Sequence, residues 1–336
     1  MRRLINTTGD VFHIEEDAYL PGNILFADEH SIKTTNGSLT TVVAGCSDSG
    51  GYVEGAGEVA RFSYILGFTQ WKSDVIIVSD HGNHCLRSVD RQTTQTSRLV
   101  GQCGPDGSGF VNGVNARFKN PHALTVLNES FVLVSDNLND AIRLVDIDGG
   151  TVSTFTAHIP SPKDMLMVRD GSIFYVVSGF SVAVVDIASA SFTILSATDR
   201  RFIRPLGLDW LDEETMVLTD EMSAKISIIL VSNNLVVQKC PEDEVWAKEA
   251  WWDNEKVEDD KNNTVRSCDL GNQFDGRGMQ TYYMAVHKYG KDLYIGGRGF
   301  IDVIQLGQVI SGSDVLVYST YPTLLLFTFL FQCIIH

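Results

Sequence analysis

The segments Gly51–Asp90, GYVEGAGEVARFSYILGFTQWKSDVIIVSDHGNHCLRSVD, and Gly109–Asp146, GFVNGVNARFKNPHALTVLNESFVLVSDNLNDAIRLVD, are two copies of one unit. Ala60-Arg61-Phe62 matches Ala116-Arg117-Phe118, Val78-Ser79-Asp80 matches Val134-Ser135-Asp136, Asn83 matches Asn139 and Arg87 matches Arg143, each pair 56 positions apart. A period of that size, built from short β-branched runs and turns, predicts a propeller blade or another stacked β unit rather than a helical repeat. Within each copy the runs Val75–Ser79 and Cys85–Val89, or Phe131–Ser135 and Ala141–Val145, predict adjacent strands joined by a polar turn.

Weaker copies extend the pattern outward. Asn23–Asp28, Phe174–Ser178, Thr215–Asp220 and Asp292–Gly296 occupy the place of Val75–Asp80, which makes six units. Their reference residues, Asp28, Asp80, Asp136, Ser178, Asp220 and Gly296, are separated by 52, 56, 42, 42 and 76 positions. The last spacing implies an insertion. The expected architecture is an all-β, six-bladed propeller over residues 1–310, with blades at about 10–45, 51–101, 109–157, 160–198, 203–238 and 278–310. An acidic, tryptophan-bearing loop fills 240–277, and the early segment Arg2–Thr8 is expected to supply the outer strand that the last blade lacks.

The two strong copies resemble NHL repeats, named for an Asn-His-Leu triplet. The residues that carry the resemblance are Gly55, Ala60-Arg61-Phe62, Val78-Ser79-Asp80, Asn83-His84-Cys85 and Arg87, then Gly113, Ala116-Arg117-Phe118, Pro121, Val134-Ser135-Asp136, Asn139 and Arg143. Cys85 stands where the leucine is expected, and Asp140-Ala141 replaces His-Leu. The resemblance covers about residues 42–147 and implies a propeller with a central channel, without implying a reaction. In such a fold the Asp80 and Asp136 carboxylates are expected to accept backbone N–H bonds in the turn that follows each.

Some propellers of this kind are lyases with zinc held by histidines at the channel mouth. Taking His122 as the reference position of an inner strand, the corresponding residues are about Leu66, Lys163, Leu206 and Tyr282. His122, Lys163 and Tyr282 are therefore channel-lining candidates; His81 and His84 share a turn and His287 follows an inner strand, so three converging histidines are not spelled out. Lactonase-type propellers use acidic residues on a divalent cation, for which Asp164 and Asp209 lie near inner strands. No catalytic residue, cofactor or metal ligand is assigned. The leading reading is a monomeric module binding a protein or glycan; the alternative is a lyase or lactonase using Ca²⁺ or Zn²⁺ in the channel.

A net charge of −16 without a Lys/Arg cluster excludes nucleic acid as a partner. The 13-residue uncharged run Thr323–Ile335, preceded by the small residues Ser311, Gly312 and Ser313, resembles a glycosylphosphatidylinositol attachment signal within a tail at 311–336. Together with sequons at Asn6, Asn36, Asn128 and Asn262 it points to the cell surface or a secreted protein, although the start of the sequence has no apolar signal-peptide core. Of six cysteines, Cys240 and Cys268 bracket the acidic loop and are the candidate disulfide. Cys46 and Cys103 sit at equivalent blade ends as a weaker pair, and Cys85 is expected to be a small buried hydrophobe.

Overall fold

The computed structural model describes residues 2–72, 74–195, 202–211, 213, 215–221, 225–232, 235–237, 257–258, 264–265 and 283–305. The chain forms an all-β propeller. Antiparallel meanders follow one another: Ile65–Trp71, Val75–Asp80, Cys85–Asp90 and Gln95–Val100; Pro121–Val126, Phe131–Asp136, Ala141–Asp146 and Thr151–Ala157; Pro162–Met167, Ile173–Ser178, Ser181–Asp186 and Phe192–Ile194; Pro205–Trp210, Thr215–Asp220, Lys225–Ser232 and Leu235–Val237. A further sheet joins the two ends of the described chain, in the order Tyr283–Tyr289, Asp292–Gln305, Arg2–Glu16, Ile24–Asp28, Ser31–Thr35 and Thr40–Gly45. The blade runs at 278–310 and 203–238 are described only in part, and 240–277 almost wholly lies outside the described residues. Among the described residues no helix is long and apolar enough to cross a membrane.

The apolar runs are continuous because each second strand is buried on both faces. Ile76 and Val78 pack with Leu25, Ile32 and Phe62 on one side, whereas Ile77 packs with Phe118, Leu124 and Val132 on the other. The same division recurs one sheet further on, where Leu133 joins Met165 and Phe174 while Val132 and Val134 stay with Ile77. Cores therefore lie between consecutive sheets, which is the packing of a propeller.

The residues shared by the two strong repeats build one device. Asp80 Oδ1 accepts the Ser63 N–H at 2.7 Å, and Oδ2 accepts Asn83 Nδ2 at 2.8 Å and Arg87 Nη1 at 3.3 Å. Asp136 does the same with Lys119 N–H, Asn139 and Arg143, at 2.7, 2.8 and 2.6 Å. The N–H groups come from the loop before the inner strand rather than from the following turn, which corrects the expectation: the carboxylates reach across the strand pair. Each guanidinium then ties down the preceding loop, Arg87 through the Val53 and Arg61 carbonyls and Arg143 through those of Val111 and Arg117. The aromatic rings of Tyr52 and Phe62 flank Arg87, and those of Phe110 and Phe118 flank Arg143.

Cys85 is not a lone buried thiol: it is bonded to Cys103, with their Cα atoms 5.0 Å apart, and Cys46 is free. The loop after Val100 folds back onto the first residue of Cys85–Asp90 in its own sheet, so Cys103 finds a partner within its unit and none in the neighbouring one. Cys240 and Cys268 lie outside the described residues.

Candidate functional site

Every inner strand carries a shift of register just after it begins. Ile65 pairs with Asp80, Pro121 with Asp136, Pro162 with Ser178 and Pro205 with Asp220, and in each case one or two residues intervene before regular pairing resumes. Val11/His13 and Tyr283/Ala285 show the same shift. A bulge at this point bends the strand and frees its carbonyl. Hydroxyls of the preceding sheet collect those carbonyls: Ser79 bonds that of His122, Ser135 that of Lys163 at 2.5 Å, and Thr219 that of Met284 at 3.3 Å. The approach is close enough that Gly67 has no room for a side chain, since a Cβ there would lie 2.5 Å from the His122 carbonyl oxygen.

Below the bulges the inner strands surround a cavity of about 320 Å³, whose lining includes His13, Glu15, Glu16, Gln70, Asp164, Asp209 and His287. Most of these polar groups fasten one strand to the next. Asp164 Oδ2 accepts the Leu208 N–H at 2.8 Å. Asp209 Oδ2 accepts the Lys288 N–H at 2.7 Å and faces His287 Nδ1 at 3.1 Å. His287 Nε2 accepts the Glu16 N–H at 3.0 Å, which assigns its ring proton to Nδ1. Gln70 Nε2 donates to the Glu15 carboxylate at 2.9 Å and to the Glu16 carbonyl at 2.6 Å.

Two groups have altered acidity. Burial pushes the Asp164 carboxyl up to about 6, against the opposing pull of His13 and the Leu208 and Met165 amides. Burial pulls His13 down, but the hydrogen bond and charge of Glu15, with the charges of Asp164 and Asp209, outweigh it and raise its pKa. His13 Nε2 therefore donates to Glu15 Oε1, at 3.2 Å.

The sequence-derived candidates are distributed unevenly. Asp164 and Asp209 line the cavity; His287 also lines it and lies inside the strand Tyr283–Tyr289, not after it. His122 and Lys163 stand one level higher, at the bulge, while Tyr282, Asn262, Ser311, Gly312 and Ser313 lie outside the described residues. Asn6, Asn36 and Asn128 are exposed. His13, Glu15 and Glu16 fall inside the first expected blade at about 10–45, but the sequence does not single them out as channel residues; the available signal is Val11–Glu16 preceding Ile24–Asp28 as Ile65–Gln70 precedes Val75–Asp80.

Among the described residues no three His, Cys, Asp or Glu side chains are placed to hold a metal ion. The Asp164 and Asp209 oxygens each accept a backbone N–H group and both ring nitrogens of His287 are engaged, so these side chains are arranged as strand-to-strand fasteners and are not gathered as a ligand set.

The chain matches no known family profile. It is 32% identical over 111 residues to NHL repeat-containing protein 2 of Bos taurus, a match covering 31% of this chain and 15% of that protein. Among solved structures it resembles a gluconolactonase from Xanthomonas campestris, with 9% identity, TM-score 0.61 and coverage of 94% of this chain and 89% of the other. A virginiamycin B lyase from Staphylococcus aureus gives 10% identity, TM-score 0.53 and coverage of 89% and 96%. A chain of a nidogen–laminin complex gives 12%, 0.51, and 67% and 78%. At these identities the structural likenesses establish the propeller fold alone. The repeats are NHL-like.

Proposed function

We propose that this NHL-like propeller is a six-bladed, non-catalytic recognition domain that binds a protein partner through one face of the ring. The blade count is supported by inner strands that each contact the next in a closed circuit, from Arg2–Glu16 through Ile65–Trp71, Pro121–Val126, Pro162–Met167 and Pro205–Trp210 to Tyr283–Tyr289 and back. The face in question, here the upper face, is the one on which inner strands begin and second strands end.

The observation that carries the reading is the set of large apolar side chains exposed there. Tyr64 and Ile203 immediately precede or approach inner strands, and Leu138 and Phe180 occupy turns after second strands; Leu138, Phe180 and Ile203 are all more than half exposed. Backbone bonds link these loops, from Leu138 N–H to the Lys119 carbonyl and from Phe202 N–H to that of Phe180. Exposed Leu138 and Ile203, with Tyr64 and Phe180 on the same face, give the loop tips an apolar character that suits a protein partner better than a glycan. A polar cavity whose groups are spent on strand-to-strand bonds supports recognition over chemistry.

The Cys85–Cys103 bond is consistent with a secreted or cell-surface location, and the sequons and the lipid-attachment reading of 311–336 remain part of this proposal. The test is affinity capture of extracellular proteins by the full chain, its Phe180→Ser/Ile203→Ser double variant, and Leu39→Ser on the opposite face. Retained partners lost only with the double variant support the reading. Capture unaffected by it, or a stoichiometric Zn²⁺ or Ca²⁺ surviving dialysis, would favour the alternative of a metal-dependent lyase or lactonase.

A further inference from the structure

His122 is a polar side chain left without a hydrogen bond in a place built from hydrogen bonds. It is 8% exposed, and its Nδ1 atom is enclosed with no partner among the described residues, whereas Nε2 is not enclosed. A bare lone pair is tolerated inside a protein more readily than a bare N–H. The proton therefore belongs on Nε2, which makes that atom a donor turned toward open space.

Two cations share this level of the channel. Lys163 holds the bulge position of the next inner strand, because Pro162 and Pro121 occupy matching places in register. Its Nζ donates to the Pro205 carbonyl at 2.8 Å, which brings the ammonium against the peptide that follows Arg204 and leaves two of its N–H groups available. Arg204 is exposed, and its ion pair with Glu221 at 2.9 Å approaches through Nε, not the outer edge of the guanidinium. Burial, reinforced by the neighbouring Lys163, His13 and Arg204, holds the His122 imidazole well below its ordinary pKa, and His81, itself lowered to about 4 by burial, is neutral beside it. His122 is thus a neutral donor beside two cations. The acidic groups nearby are engaged: Asp220 accepts the Ile203 and Arg204 N–H groups, and Glu221 pairs with Arg204 and Arg298.

We propose that the upper mouth of the channel is a carboxylate-binding site formed by His122 Nε2, Lys163 Nζ and Arg204. Asp220 and Glu221 set the charge limit. With two carboxylates flanking the cations the site suits a monoanion better than a phosphate dianion, and Ile203 beside Arg204 offers an apolar wall to the body of the ligand. The carboxylate belongs to a free small acid or to an acidic side chain of a protein. The inference holds whether or not the surrounding face binds a partner.

The experiment uses the full chain labelled with ¹⁵N-histidine, with the His122 signals assigned from His122→Gln, and titrates it with sodium acetate, the blocked peptide acetyl-Leu-Glu-Leu-amide, and sodium chloride at matched ionic strength. The expected result is a saturable shift of the His122 nitrogen signals with carboxylate and none with chloride. Lys163→Met should weaken the response at least tenfold, while Lys72→Met, which removes an ammonium stacked on Trp71 at the far end of an inner strand, should leave it unchanged. Tighter binding of the peptide identifies a protein side chain as the source; equal binding identifies a free acid. If Lys163→Met does not fold, Arg204→Gln carries the same expectation. No saturable shift with either carboxylate, or an equal shift in the variants, overturns the proposal.

Discussion

Asp164 shows how one carboxyl group can fasten the ring and burden it at once. It bonds the Leu208 amide across a strand boundary, yet burial raises its pKa from 3.8 to about 6. An acid raised in the folded state binds more protons folded than unfolded, so its contribution falls as pH rises from 4 through 6, and the deficit is complete above that window. Asp164→Asn keeps a carbonyl acceptor for Leu208 and removes the charge. The stability of this variant relative to the parent should increase by about 2 kcal/mol between pH 4 and pH 7.5, measured by urea unfolding at each pH. A difference that stays flat with pH would show that Asp164 does not titrate as described. Residue-scale roles of this kind were only half legible. Asp164 and Asp209 could be placed near inner strands from the repeat, but their partners are backbone amides of the next sheet, and nothing in a local sequence reveals what a neighbouring strand presents.

At the scale of elements the repeat itself was legible because its signature residues are neighbours in space as well as in sequence. Asp80, Asn83 and Arg87 touch one another, and so do Asp136, Asn139 and Arg143; selecting one selects the others. Removing the cation from such a buried pair strands a carboxylate, so Arg143→Met should cost about 3 to 5 kcal/mol, read as a lowered denaturation midpoint with intact strand content. Cys85 escaped the sequence for a different reason. On a strand it reads as a small buried hydrophobe, whereas a loop that doubles back brings Cys103, 18 positions away, against it. Closing a loop of that size stabilises by about 3 kcal/mol on the chain-entropy view. Cys103→Ser should therefore lower the melting temperature, and dithiothreitol should lower that of the parent chain but leave the variant unchanged.

For the whole molecule, the decisive element is the early strand, which serves two sheets. Arg2–Asp10 pairs with Asp292–Gln305, with Arg2 opposite Val303, and Val11–Glu16 continues as an inner strand beside Ile24–Asp28. Arg3 secures the junction through Asp302 at 2.6 Å and by stacking on Phe300 at 4.3 Å. Deleting residues 2–9 should broaden thermal unfolding and lower its midpoint, because two edges are opened at once; an unchanged, equally sharp transition in calorimetry would deny the strand its closing role. The sequence indicates the outer half of this strand from a shortage of β-forming residues late in the chain and includes the inner half in the first blade, but it does not show that the two are one continuous strand or that His13, Glu15 and Glu16 line the cavity, because those polar residues do not read as a buried run.

That same strand imposes an order of events on the ribosome. Arg2–Asp10 is made some 300 residues ahead of its partner around Val303, a delay on the order of 15 to 60 s at ordinary elongation rates. Throughout that interval the strand has an unpaired edge, and the sheet it will close does not yet exist. Completion of the ring therefore waits on a contact of very long sequence separation, slow by its nature and open to pairing with a neighbouring nascent chain. The charged Arg2-Arg3 pair at the head of that strand is the kind of residue that discourages such pairing while the strand waits.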